Sequence, residues 1–449
     1  MRLRNSWILL AIALVFLVYF FVIEQPRHRE SLEATRRAGR LTELTLADIH
    51  YVTIDRPGET VELTRIGDQW QLIAPVADLA ARSNVNALVT SVVEARIARS
   101  IPAGEEDLDE YGLADPPAAV IRFATVSRDT VLTIQLGNYS ITRSHCYARK
   151  PDSGEILLLP AGLRRYALLD LSEYRDDKVI RFELEAVSRF VLSAAGRSNR
   201  WHRTDRDGWE TVVQGDTIAG DNHELEAILH RLRGLRVRRF ISDNPAETGR
   251  YFTDSSPAIT LWFKNEEDFE TIRFEPCTQD SCYVKREQNI RLALADPAIL
   301  AAFEKTVEDL RDRRLLHFDR AGIGKIGYRT TGFTAGIVKT PREWAYDNPA
   351  LGAIEPGRLG LILAALENLE WLRVAGERLE NYAGFGFDAP FMEITVWNKE
   401  GGLVDRLRCG AAAAGGGRYA TSRTTRRLVV IDQDRLADID AAFKSIRTK

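Results

Sequence analysis

The feature that most constrains this chain is internal repetition with a period of about 135 residues. Trp70, Trp209 and Trp344 lie 139 and 135 residues apart, each following a short polar turn: Gly67-Asp68-Gln69, Asp207-Gly208 and Pro341-Arg342-Glu343. Pro117, Pro257 and Pro390 each close an aromatic-led turn and recur after 140 and 133 residues. Tyr147, Tyr283 and Tyr419 recur after 136 residues both times. A unit of that length buries roughly two thirds of the surface its unfolded chain exposes, so each copy can hold its own core.

Each copy reads alike. After the tryptophan, apolar side chains at helical spacing predict a helix that buries one face: Val85, Leu88, Val92 and Val93; then Leu225, Ile228, Leu229, Leu232 and Leu235; then Leu359, Ile362, Leu363, Leu366 and Leu369. Ser83, Asp221 and Pro356 supply the start signals. Alternating runs such as Leu132–Leu136 and Met392–Val396 predict strands, and a hairpin opens at each repeated tyrosine. A last strand (Ile156–Leu159, Ile290–Leu294, Leu428–Ile431) and a closing helix complete the copy. The first two copies end in related segments, Tyr174–Phe182 and Leu310–Phe318. The expected fold is α+β: three tandem divergent copies, each a mostly antiparallel sheet packed by helices, over residues 46–180, 181–316 and 317–449.

Ahead of them, Trp7–Ile23 is an uninterrupted apolar run of 17 residues. At 1.5 Å per residue it reaches roughly 26 Å, close to the hydrocarbon thickness of a bilayer. No small-x-small cleavage pattern follows it, so residues 7–24 read as an uncleaved single-pass anchor after a six-residue tail, with 25–45 as a charged linker. Arg2 and Arg4 precede the run whereas Arg27, Arg29, Arg36, Arg37 and Arg40 follow it, a count that favours a cytoplasmic body. Against it, a very short basic N-terminus before an apolar helix is how export signals begin. The expectation is a body outside the cytoplasm, on a bacterial inner membrane.

The 61 basic and 64 acidic side chains leave a net charge of −3, which excludes a global field for nucleic acid. Any anionic partner must be met by a local patch. The run Arg231, Arg233, Arg236, Arg238 and Arg239, at the end of the second copy's helix, reads either as a solvated helix end or as a surface for anionic lipid or an acidic partner. Of the four cysteines, Cys277 and Cys282 flank a hairpin tip, where a cross-strand disulfide and two free thiols are both open.

No motif carries chemistry. Gly322-Ile323-Gly324-Lys325-Ile326-Gly327 satisfies GxGxxG but occupies the place of the first strand of the other copies, and a dinucleotide fingerprint needs a strand before it and a helix within it. Gly415-Gly416-Gly417 reads as a loop tip. Asp176, Asp177 and Asp312 recur in the connecting segments and suit salt-bridged connectors better than one active site. His145 and Cys146 are adjacent on a strand and point to opposite faces. His223 and His230 are too far apart on a helix to share a metal, and no zinc-ligand spacing occurs. The expectation is no enzyme, no metal and no cofactor.

Trp70 with Pro75-x-x-Asp78, Tyr111-Gly112-Leu113 leading into Pro116-Pro117, and Arg175-Asp176-x-Lys178 resemble the bacterial domain-of-unknown-function family 4340. The likeness is closest over residues 46–182; Asp221 and Pro257 keep the pattern in the second copy, and Asn381–Phe385 departs from it in the third. The resemblance implies a membrane-anchored, extracytoplasmic protein associated with gliding-type ABC export systems, and it brings no catalytic residues. The function expected from it is an accessory or scaffold subunit of an ABC-type export complex, with permease and ATPase components as partners. The alternative is a module that binds envelope lipid or polysaccharide, which predicts a ligand-sized groove lined with aromatic or arginine side chains.

Overall fold

The computed structural model describes residues 39–102, 108–205, 208–264, 267–289, 291–376, 384–425 and 427–446. The expected anchor at 7–24 and its flanking arginines up to Arg37 lie outside them. Among the described residues no helix is long and apolar enough to cross a membrane.

The chain forms three antiparallel sheets with a few helices. The first contains β1 (Tyr51–Arg56), β2 (Glu59–Ile66), β3 (Gln69–Ala74), β4 (Asp78–Leu79), β5 (Arg99–Pro102), β6 (Ala119–Ala124), β7 (Thr130–Tyr139), β8 (His145–Arg149) and β9 (Glu155–Pro160), in the order β4-β3-β2-β1-β6-β7-β8-β9-β5. The second contains β10 (Val187–Ala194), β11 (Arg197–Arg203), β12 (Trp209–Val213), β13 (Asp216–Ala219), β14 (Val237–Ser242), β15 (Ala258–Phe263), β16 (Phe269–Thr278), β17 (Ser281–Arg286) and β18 (Leu292–Ala295), and repeats that order as β13-β12-β11-β10-β15-β16-β17-β18-β14. The third contains β19 (Ile323–Thr330), β20 (Phe333–Lys339), β21 (Trp344–Tyr346), β22 (Trp371–Gly376), β23 (Met392–Asn398), β24 (Leu403–Ala412), β25 (Arg418–Ser422) and β26 (Leu428–Ile431). Its order, β21-β20-β19-β23-β24-β25-β26-β22, is the same without the short edge strand. By compactness the chain falls into two units, one of residues up to Ser198 with Leu229–Phe303, the other of Asn199–Ile228 with Glu304–Lys449.

Alternation sets which face of each strand is buried. In β1, Val52 and Ile54 point inward between half-exposed neighbours, and in β23 Met392, Ile394 and Val396 are buried on one face, with Thr395 buried as well. The helices supply the other side of each core. In α1 (Arg82–Val93), Val85, Leu88, Val89 and Val92 are buried; Ala161–Ala167 forms α2. In α3 (Asn222–Gly234) the expected leucine stripe is buried, and Ala301–Glu304 forms α4. In α5 (Pro356–Glu367), Leu359, Ile362, Leu363 and Leu366 are buried, and Gln433–Ser445 forms α6. Asp221 caps α3 as expected, its Oδ1 accepting from the His223 and Glu224 N–H groups at 2.9 and 3.2 Å. Pro356 opens α5, behind the cap residue Glu355. Ser83 does not cap α1, which starts a residue earlier at Arg82, because the cap residue Ala81 donates its N–H to the Tyr174 carbonyl at 2.7 Å.

Two expectations change. The closing helix of the second sheet shrinks to a 3-10 turn, Pro297–Leu300, followed by the single turn of α4. In addition, each long helix is followed by an edge strand that the periodicity did not suggest: β5, β14 and β22, paired with β9, β18 and β26. Arg238 and Arg239 therefore lie on strand β14, at an irregularity in its pairing with β18, rather than at a helix end.

The repeated tyrosines have a common task. Tyr147 packs edge-on against Tyr111 with ring centroids 4.7 Å apart, Tyr283 meets Tyr251 at 4.6 Å, and Tyr419 meets Phe385 at 4.9 Å. Each pair pins the aromatic-led turn to the hairpin. In the third sheet the Phe385 carbonyl accepts from Ala411 N–H at 2.8 Å, and a Cβ on Gly410 would overlap that carbonyl oxygen. Gly410→Ala is expected to cost about 3 kcal/mol, as overpacking against backbone does. By contrast Gly360→Ala, at an uncrowded position inside α5, is expected to add about 0.5–1 kcal/mol. Urea denaturation of the two variants checks both signs.

Candidate functional site

The connecting segments generate the candidate site. Within the first unit, the Asp176 N–H donates to Leu79 O at 2.8 Å, and the Tyr174 carbonyl accepts from Ala81. Further on, Val179 N–H donates to Leu235 O at 3.1 Å and Val237 N–H to Asp177 O at 2.6 Å. The second unit repeats the scheme: Asp312 N–H to Ala219 O at 2.9 Å, Asp221 N–H to Leu310 O at 2.8 Å, Leu315 N–H to Leu369 O at 2.8 Å, and Trp371 N–H to Arg313 O at 3.0 Å. Each connector is thus bridged to the strand or turn before a helix and to the one after the next helix. Bridges Ala80↔Arg175 and Gly220↔Arg311 fix the correspondence.

The side chains of the first connector form a closed ionic lattice. The Arg175 guanidinium donates from Nε to Asp78 Oδ2 at 2.9 Å and from both terminal nitrogens to Asp243 at 2.7 and 2.8 Å, with Phe240 beneath it at 4.1 Å. Arg291 donates to the same Asp78 oxygen at 3.0 Å, to Asp176 O at 3.2 Å and to Lys178 O at 3.0 Å. Arg175, Asp78 and Arg291 keep only 3%, 6% and 8% of their side-chain surface exposed, so Asp78 is shared by two buried guanidinium groups, with Asp243 as the second carboxylate on Arg175. Burial pushes the Arg175 guanidinium down, but the Asp243 and Asp78 bonds outweigh it and hold the group above its ordinary pKa. A cavity of about 410 Å³ remains beside this lattice.

The second connector borders a larger cleft, about 1090 Å³, wholly within the second unit. Among the described residues, Arg311, Arg314, Arg406, Arg408, Arg423 and Arg427 line it, with His317 and one carboxylate, Asp312. Thr421, Ser422, Thr424 and Thr425 add hydroxyls, and Phe387, Leu403 and Ile218 add apolar wall. Behind the wall, Asp405 is fully buried and accepts from Arg406 N–H at 2.8 Å, Thr424 Oγ1 at 2.8 Å, His317 N–H at 3.2 Å and Thr424 N–H at 3.3 Å. That carboxylate ties connector, β24 and the β25–β26 turn together, presenting the arginines on a fixed frame.

Asp312 is held by Arg314, from Nε at 3.0 Å and a terminal nitrogen at 2.8 Å, and by His317 Nε2 at 3.0 Å. Burial alone would raise its pKa, but the His317 and Arg314 hydrogen bonds prevail and hold it well below the usual carboxylate range. Arg408 donates to Glu393 at 3.1 Å, and Arg311 to both oxygens of Glu308 at 3.0 and 2.9 Å. Two buried nitrogens of cleft-lining residues, Arg406 Nε and His317 Nδ1, have no partner among the described residues. Arginine suits this wall: its planar fork stays charged and matches carboxylate and phosphate oxygens in pairs.

The residues singled out from sequence lie elsewhere. Arg231 donates to Ala298 O, Arg233 lies 3.9 Å from Glu183, Arg236 grips Asp177 at 2.6 Å, and Arg238 bonds Asp296 at 2.6 Å and the Asp280 carbonyl. The run is dispersed and largely compensated. Cys277 and Cys282 are free thiols, Cys277 exposed and Cys282 buried with Sγ toward the Ala295 and Asp296 carbonyls. Burial pushes the Cys146 and Cys282 thiols up to about 11 and Cys409 up to about 12, leaving them protonated and unreactive. The GxGxxG segment runs into strand β19, with Gly327 beneath the Trp397 ring. Asp176, Asp177 and Asp312 are each ion-paired, to Arg181, Arg236 and Arg314. Among the described residues no cluster of three His, Cys, Asp or Glu side chains could hold a metal.

Asp78→Asn is expected to cost about 3–5 kcal/mol in urea denaturation, because it leaves two buried guanidinium groups short of charge. The second unit carries an acid-sensitive contribution instead. Asp312 has a depressed folded pKa, so its contribution is complete above the unfolded value of about 4 and is lost as pH falls toward the folded one. Between pH 7 and pH 3 the denaturation midpoint of Asp312→Asn should fall less than that of the parent chain.

No curated protein matches this chain. A family model matches residues 70–255 and 209–339, spanning both connectors and reaching the first strands of the third sheet. The chain belongs to the family described as Domain of unknown function (DUF4340).

Proposed function

We propose that this protein is a non-enzymatic binding module of the bacterial envelope, held by the anchor at 7–24, whose arginine-lined cleft takes an anionic lipid or polysaccharide. The soluble part is read as three divergent copies of one unit, at 46–180, 181–316 and 317–449, with the bulk of the chain outside the cytoplasm on the inner membrane. The carrying observation is the make-up of the cleft wall among the described residues: six arginines and His317 with one carboxylate, Asp312, in a volume of about 1090 Å³, and with the Arg406 Nε buried there without a partner among those residues. Clefts of roughly that size enclose ligands of several hundred daltons.

The accessory-subunit reading rests on family membership. In that reading the chain docks on the permease or ATPase of an ABC-type exporter, and the cleft serves the complex.

The test uses the full-length chain in phosphatidylcholine nanodiscs, titrated with dihexanoyl phosphatidylglycerol and, separately, polygalacturonate. Binding of one probe, weakened by salt and reduced about tenfold or more in Arg406→Glu/Arg423→Glu, supports the proposal. Absence of binding by both probes, with permease or ATPase recovered by crosslinking and mass spectrometry, would replace it with the accessory-subunit reading.

A further inference from the structure

The fold builds a cavity beside each connector, from corresponding residues. Asp176, Lys178, Arg181 and Asn289 line the first, and the residues 136 positions on, Asp312, Arg314, His317 and Thr425, line the cleft. The first cavity lies wholly within the first unit and measures about 410 Å³. Its own charges are mostly spent. Asp78 Oδ1 accepts from Leu79 N–H at 2.9 Å and its Oδ2 from Arg175 and Arg291, while Arg181 donates to Asp176 Oδ1 at 2.8 Å and Oδ2 at 2.6 Å. Arg286 donates to Glu270 at 3.2 Å. Of the cations lining this cavity Lys178 is left over, because its ammonium group has no carboxylate or hydrogen-bond partner among the described residues. Among those residues the Gln71 amide also lacks a partner, and the Asn289 amide uses only its Oδ1, which accepts from Arg291 N–H at 2.9 Å.

We propose that the cavity of the first unit is a second ligand site, which takes a singly charged, hydroxylated carboxylic acid of one sugar ring, a uronic acid, with the carboxylate on Lys178 and the hydroxyls on Gln71 and Asn289. One ammonium group balances one unit of charge. A phosphate monoester carries close to two at neutral pH and would leave the excess facing the Asp78 and Asp176 carboxylates. Side-chain amides donate and accept at once, which matches a hydroxyl, itself both donor and acceptor. Leu72, Val179 and Ile180 line the same cavity and give the C–H face of a ring an apolar wall. Its volume of about 410 Å³ sits near the lower end of ligand cavities, roughly 300–1,000 Å³, as a ligand of one ring requires. These residues lie outside the cleft, so either site can fail without the other.

The test isolates this cavity by using the full-length chain with Arg406→Glu/Arg423→Glu in the cleft, in phosphatidylcholine nanodiscs, titrated separately with galacturonate and galactose by ligand-detected NMR. The two sugars differ at one carbon, a carboxylate in place of a hydroxymethyl group. Galacturonate should bind about tenfold or more tighter than galactose. Adding Lys178→Gln should shrink that preference to within about threefold, whereas Lys178→Arg should keep it. Absence of galacturonate binding, equal binding of the two sugars, or a preference that survives Lys178→Gln overturns this inference and leaves the cleft reading to its own lipid and polygalacturonate titrations. Galacturonate binding here, with no effect of the cleft substitutions in those titrations, overturns the cleft reading alone. Should Lys178→Gln fail to fold, Gln71→Leu carries the test: both sugars should weaken about fivefold, and unchanged affinities overturn the inference.

Discussion

A guanidinium group placed inside a protein must be neutralised there, because it does not lose its proton at any ordinary pH. Arg175 and Arg311 impose that requirement on both connectors, each only 3% exposed. In the first, the demand is met by Asp78 and Asp243, and Asp78 also serves Arg291, brought in from a hairpin more than 200 residues later. One carboxylate therefore fastens β4, the connector and the β17–β18 turn. The backbone bridges on either side fix the register, and the ionic lattice makes that register the one arrangement in which no buried charge is stranded.

The second unit solves the same problem with different side chains. Asp405 takes over as the buried organising acid, but its acceptors are filled by three backbone N–H groups and a hydroxyl. It fixes the frame without neutralising the arginines around it. Asp312 is spent on Arg314 and His317. Among the described residues, arginines on this fixed frame make up most of the charged lining of the cleft, which is the ground of the proposal that it takes an anion.

Much of the fold was legible because it rested on periodicity. The stripes at Val85–Val92, Leu225–Leu235 and Leu359–Leu369 became helices, and Tyr147, Tyr283 and Tyr419 became the common clamp for Tyr111, Tyr251 and Phe385. The edge strands β5, β14 and β22 escaped, since their sequences are short and lack period-two alternation and they form by pairing with a strand some 50–60 residues away. The cleft escaped for a related reason. Arg406 and Arg408 share one face of β24, yet they mean little until the connector residues Arg311 and Arg314, about 90 residues earlier, are packed beside them. The run at Arg231–Arg239 looked richer in linear sequence, but folding scatters it among Glu183, Asp177 and Asp296.

The central claim, that the arginine-lined cleft of the second unit takes an external anion, is tested most directly by locating one. Crystals of the chain soaked in selenate and measured at the selenium absorption edge should give an anomalous peak within hydrogen-bonding distance of Arg406 or Arg423 in that cleft. Selenate confined to surface arginines such as Arg238, with the cleft empty, would contradict the account.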